Sequence, residues 1–151
     1  TCALPIYNQY GQLGLNTSGM YTEKSSPTQV GSLTNWAIVS CGSSATISVK
    51  TNGTLWTWGN GSFGTLGLNN TSNYSSPKQV GLLTNWQTPS AGSNYMACIK
   101  TDKTIWSWGY NFIGQLGLGD TTNRSSPVQI GSATGWLRVA AGYVSMLATR
   151  N

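Results

Sequence analysis

Trp106-Ser107-Trp108-Gly109-Tyr110-Asn111-Phe112-Ile113-Gly114-Gln115-Leu116-Gly117-Leu118-Gly119-Asp120, continuing to Ser125-Ser126-Pro127-Val128-Gln129 and Trp136, is the stretch that decides the fold. It does so because it recurs. Ser75-Ser76-Pro77 and Ser25-Ser26-Pro27 stand fifty and one hundred residues upstream of Ser125-Ser126-Pro127. Trp36, Trp86 and Trp136 keep the same step, as do Lys50, Lys100 and Arg150. Trp56 and Trp58 repeat Trp106 and Trp108, and Gly14 and Gly67 repeat Gly117. A period near fifty with Trp and Gly at fixed offsets marks a propeller or solenoid, whose units bury their apolar faces only against neighbours.

One unit reads as four short strands. Gln87 to Gly92 is a strand whose small residues before the closing Gly suit a crowded inner position. Tyr95 to Lys100 and Ile105 to Trp108 follow, joined by the turn Thr101 to Thr104. The preceding unit has Asn52-Gly53 in that turn, which predicts a two-residue hairpin loop with both central residues at positive φ. Trp106 and Trp108 are two apart and share one strand face. Ser126 to Ile130 is the last strand, where Pro127 fits a strand start or an outer edge because it cannot donate to a ladder. Four strands per unit make one propeller blade. Repetition in register assigns Trp36, Trp86, Trp136, Trp56, Trp58, Trp106, Trp108, Gly14, Gly67, Gly117, Pro27, Pro77 and Pro127 to the framework. Gly114 to Asp120 lacks the spacing, the Lys-Ser/Thr ending and the following helix of a phosphate-cradling loop.

Only 7% of residues are charged, against about 25% in ordinary globular chains. The net charge of +5 reflects few acids (Glu23, Asp102, Asp120), and the Lys and Arg residues are scattered, which argues against a nucleic-acid partner. The chain has no His, no evident nucleophile–base pair and no metal-ligand spacing, so no catalytic, cofactor or metal residue is assigned. Asp102 and Asp120 lie in turns, where Asp is ordinary. Cys41 and Cys98 align with small residues in the other units and read as core thiols, with their oxidation state open. No apolar run is long enough to span a membrane.

Tyr7 to Leu15 aligns with Tyr110 to Leu118, so Trp-x-Trp-Gly is expected at positions 3 to 6, where Ala3-Leu4-Pro5-Ile6 stands. That tetrapeptide reads like the translation of a sequencing-library adapter. Residues 1–6 are therefore expected to be a non-native leader, the other reading being an atypical capping segment of a terminal repeat, and residues 7–151 to hold three repeats. The first unit also carries three extra residues between Gly11 and Ser25, and both ends read as cut.

The combined motif from Trp106 to Gln129, running on through Trp136 to Gly142, resembles the regulator of chromosome condensation repeat. The resemblance covers residues 7 to 151. It implies an all-β, seven-bladed β-propeller with repeats and blades offset, of which this chain supplies about three blades. It departs from the family where a His often follows the Ala-Gly pair, since Ala45, Tyr95 and Ser145 stand there. The theme implied is protein binding through one face of the ring. Glycan binding, nucleotide exchange or chromatin association, and an accessory role beside an enzyme are the alternatives. Positions that vary within the repeated frame are the candidate contacts: Tyr10, Phe63 and Ile113 before the Gly-x-Leu-Gly-Leu loop, and Tyr74 and Arg124 before the Ser-Ser-Pro strand. Three blades alone are expected to self-associate through open strand edges.

Overall fold

The computed structural model describes residues 7–151, so the expected leader at 1–6 lies outside the described residues. Within them, ten strands form three antiparallel sheets. The first sheet holds β1 (Trp36–Cys41), β2 (Ala45–Lys50), β3 (Leu55–Gly59) and β4 (Tyr74–Gln79) in sequential order. The second repeats it with β5 (Trp86–Ala91), β6 (Tyr95–Lys100), β7 (Ile105–Gly109) and β8 (Arg124–Gln129). The third pairs β9 (Trp136–Ala141) with β10 (Met146–Arg150). About three blades thus resolve as two complete four-stranded blades and a two-stranded one, each beginning at a framework Trp rather than at the start of a sequence repeat.

The period survives at the level of register. Ser48 faces Trp56 across β2 and β3, as Cys98 faces Trp106 across β6 and β7. Strands β2 and β6 are buried along their whole lengths, because sheet partners flank them and neighbouring blades cover them. The core lies between the first two sheets and joins Ile47, Leu55 and Leu66 to Trp86, Met96 and Trp108. Each such large apolar side chain contributes roughly 1.5 to 3 kcal/mol by leaving water. Blades are also stitched by hydrogen bonds that repeat with the sequence. The Ala91 N–H donates to Ser40 Oγ at 3.0 Å and the Ala141 N–H to Ser90 Oγ at 2.9 Å. On the outside, Asn16 N donates to the Ser75 carbonyl and Asn69 N to the Ser125 carbonyl, each at 2.8 Å. The Gly-x-Leu-Gly-Leu loop of one unit therefore docks on the Ser-Ser-Pro strand of the next, which explains why both motifs repeat together.

Three expectations need correction. The Asn52-Gly53 turn is not a two-residue loop with two positive φ angles. The Gly53 N–H bonds the Lys50 carbonyl at 2.9 Å and the Lys50 N–H bonds the Thr54 carbonyl at 3.0 Å, so only Gly53 (φ 77°) is left-handed. This is a type I turn closed by a bulge; Asn52 stays right-handed because its Oδ1 accepts from Thr54 N and Oγ1. Lys103 takes the same bulge position in the next unit, at φ 64°. The last strand starts earlier than Ser126, at Arg124, so Pro127 lies inside β8 and is tolerated because β8 is the outer edge. Pro77 lies likewise within the outer strand β4. Finally, the segment around Pro27 forms no strand, although its sequence matches β4 and β8.

Candidate functional site

Antiparallel order places the β1–β2, β3–β4, β5–β6 and β7–β8 connections at one end of the blades. These include the long Gly-x-Leu-Gly-Leu loops. The β2–β3, β4–β5 and β6–β7 connections lie at the opposite, short-turn end.

On the long-loop face, the loops of the first and third units are each organised by a buried amide. Asn111 Oδ1 accepts from the Leu116 N–H at 2.9 Å, while its Nδ2 donates to the carbonyls of Asp120 and Thr122 at 2.9 and 3.1 Å. Asn8 does the same in the first unit, accepting from Leu13 N and donating to Thr17 O and Thr22 Oγ1. These anchors hold Leu13 and Leu116 in the core and push the flanking aromatics outward. Residue-by-residue repetition understated this role, because Gly61 stands at the same register in the middle unit.

Phe63 sits at φ 60° and is 46% exposed, an uncommon backbone state for a bulky side chain. Its ring lies 4.7 Å from that of Tyr110, which stacks on Phe112 at 6.3 Å and 17°. The row crosses a blade boundary. Phe112 and Ile113 are exposed beside it, at 72% and 59%. Tyr10 stands at the matching place in the first unit but meets Tyr7, edge-on at 6.5 Å. Tyr74 and Arg124 open the outer strands β4 and β8. Tyr74 Oη accepts from Asn70 Nδ2, and Lys78 Nζ lies 5.5 Å from its ring. Arg124 is committed to its own loop: it pairs with Asp120 at 2.6 Å and donates to the Thr122 carbonyl at 2.8 Å. The Thr122 N–H and then the Arg124 guanidinium hold the Asp120 carboxyl below its ordinary pKa. The five candidates therefore separate into an aromatic row built on Phe63, an adjacent Ile113, a distinct Tyr7–Tyr10 pair and two loop braces.

Sequence reasoning missed Tyr110 and Phe112, and also Met20 and Tyr21 in the extra residues of the first unit. The latter two are 78% and 94% exposed, with Tyr21 at φ 66°. Asp102 accepts from Thr104 N and Oγ1, which lowers its pKa, and Thr104 Oγ1 in turn accepts from the Trp106 indole N–H. Cys98 is fully buried, does not pair with Cys41, and burial pushes its thiol up to about 12. Among the described residues no group of three or more His, Cys, Asp or Glu gathers to hold a metal, and no helix is long and apolar enough to cross a membrane.

The profile of the Regulator of chromosome condensation (RCC1) repeat matches residues 7–49, 52–99 and 102–148, and a second profile of that repeat matches residues 36–65. Among solved structures, Prp20p from Saccharomyces cerevisiae, described with its binding properties to Gsp1p and histones, superposes with a TM-score of 0.83 at 16% identity. That match covers 93% of this chain and 37% of Prp20p. Yeast RCC1 (Prp20) in complex with Kap60 gives 0.79 at 19% identity, covering 95% and 36%. Human WBSCR16 gives 0.63 at 16% identity, covering 94% and 51%. The chain spans little more than a third of Prp20p, and at these identities the likeness is one of fold.

Proposed function

Because the chain belongs to the Regulator of chromosome condensation (RCC1) repeat family, we propose that it contributes to a non-catalytic propeller scaffold that docks another protein on its long-loop face. The observation that carries this reading is the row Phe63–Tyr110–Phe112, in which exposed Phe63 and Phe112 flank a half-buried Tyr110 and the rings run continuously across two blades. Rigid aromatics on a braced loop lose little entropy on binding and are favoured at interface centres. Backbone strain at Phe63 supports the same surface, since such strain gathers at recognition sites. Protein partners in the descriptions of Prp20p fit this class of function. The acids offer no catalytic pair: Asp102 and Asp120 are held in their turns and Glu23 is exposed. The indole faces of Trp56 and Trp106 are covered by Lys50 and Lys100 Nζ at 3.8 and 3.6 Å, which weakens a sugar-stacking reading.

The test is affinity capture from an extract of the source cells, with the wild-type chain and a Phe63→Ser/Tyr110→Ser/Phe112→Ser variant compared side by side. Partner bands present with the first and absent with the second are expected, with unfolding midpoints close to each other. Equal capture by both would remove this face from consideration.

A further inference from the structure

Two matching grooves flank the first sheet, one between it and the Gly-x-Leu-Gly-Leu loop of the first unit and one where its own such loop meets the second sheet, and neither is lined by a side chain of the aromatic row. One, of about 480 Å³, is lined by Val30, Leu33, Trp36, Lys50, Trp56 and Pro77 among others. The other, of about 490 Å³, is lined by Val80, Leu83, Trp86, Lys100, Trp106 and Pro127 among others. Each wall is mostly apolar, carries an Asn, a Gln and a Ser (Asn16, Gln29 and Ser76; Asn69, Gln79 and Ser126), and holds a single cation.

That cation is unusual. Lys50 is 6% exposed and Lys100 4%. Lys50 Nζ lies 4.5 and 3.8 Å from the ring centroids of Trp36 and Trp56, and Lys100 Nζ 4.6 and 3.6 Å from those of Trp86 and Trp106. Indole faces attract an ammonium but offer no lone pair for its three N–H groups. Among the described residues neither ammonium has a hydrogen-bond acceptor or an ion-pair partner. The stems are covered while each Nζ keeps an opening to the groove, since neither Nζ is among the fully buried unpaired atoms, so each charge is poised to take a partner from outside the chain. Beside them, the indole Nε1 of Trp36 and of Trp86 is buried without an acceptor.

We propose that these grooves are binding sites for the carboxylate side chains of an acidic peptide segment, with Lys50 and Lys100 as the pairing cations. A monoanion balances one ammonium, whereas a phosphate dianion would leave charge against Val, Leu and Pro side chains. The methylenes of a Glu match the apolar walls. The chain itself is depleted in acids and carries +5, so the complementary segment comes from an acidic partner. Two grooves in register let one extended segment engage both, adding avidity without new contact types. The site is independent of the aromatic face, and the two readings fail separately.

Fluorescence anisotropy of the 151-residue chain with a labelled Glu-Gly repeat peptide, at low salt, tests this. Binding is expected for the Glu peptide and not for its Gln-Gly counterpart. Lys50→Met/Lys100→Met, which keeps the stem and removes the charge, should weaken binding roughly tenfold or more. Lys24→Met/Lys78→Met, which removes surface charge, should not. Acetate should compete better than orthophosphate at equal ionic strength. The Phe63→Ser/Tyr110→Ser/Phe112→Ser variant should bind the Glu peptide normally. A second readout needs no substitution: the Glu peptide should slow reductive methylation of Lys50 and Lys100, followed by mass spectrometry, and the Gln peptide should not. No binding by the wild-type chain, undiminished binding by the Met pair, equal binding of the Gln peptide, stronger competition by phosphate, or unslowed methylation would each overturn the proposal.

Discussion

Lys50 and Lys100 show how much a single residue's meaning depends on what covers it. Desolvation lowers the pKa of both amines below the ordinary 10.5. A base whose folded pKa is depressed destabilises the fold at every pH where it is charged, and that cost is relieved as pH rises through the lowered value towards 10.5. The wild-type chain should therefore gain stability relative to Lys50→Met/Lys100→Met between pH 7 and about 10, measured by urea unfolding at each pH. A constant or shrinking difference would mean that the amines are not desolvated. Arg150 holds the third such place, with its guanidinium carbon 5.7 Å from the Trp136 ring, and an Arg keeps its charge throughout this range. The recurrence of these three cations was legible from the spacing of the chain. Their burial was not, because Lys at a strand end reads as a solvated residue until two Trp faces close over it.

At the scale of the element, the Gly-x-Leu-Gly-Leu loop is a latch between blades. Gly67 (φ 69°) lies against the next blade, where an added Cβ would come within 2.7 Å of Trp108 Nε1. Gly117 has the same φ (68°) but only ordinary contacts beyond 3.6 Å, since a Cβ there would first meet Ile130 Cγ2 at 3.7 Å. Gly117→Ala should thus cost about 1 kcal/mol, the left-handed backbone penalty alone. Gly67→Ala should cost a further 1 to 3 kcal/mol or so, because a packed indole must move. Equal losses in thermal unfolding would mean that the latch does not bear on blade packing. The strands themselves were readable from alternation and turn residues, and their register repeats with the sequence. The turn after Lys50 was misread because Asn-Gly serves both a two-residue loop and a type I turn with a bulge. The choice was made by the Asn52–Thr54 hydrogen bonds, which local spacing does not encode.

At the scale of the whole molecule, the sheets close on one another through repeated contacts, while among the described residues β10 pairs with β9 alone. Its far edge carries Leu147, 71% exposed. An unpaired apolar edge templates pairing with a second copy. The 151-residue chain should sediment as dimers or larger species, and Leu147→Lys should shift it towards monomer. A monodisperse wild-type monomer would refute this. The sequence by itself determined the blade, the period and the framework, because buried positions that repeat at fixed spacing can satisfy only one kind of packing. It also separated repeating from varying positions, and so pointed to Phe63 and Ile113. Only the tertiary structure decided that Phe63 meets Tyr110, that Tyr10 instead meets Tyr7, that Arg124 braces its own loop, and that Lys50 and Lys100 line matching grooves. The Phe63–Tyr110 contact and the grooves bring together residues of neighbouring units and depend on how loops and sheets stack, whereas the Tyr7–Tyr10 and Asp120–Arg124 contacts are local in sequence and were settled by side-chain geometry that residue spacing does not encode.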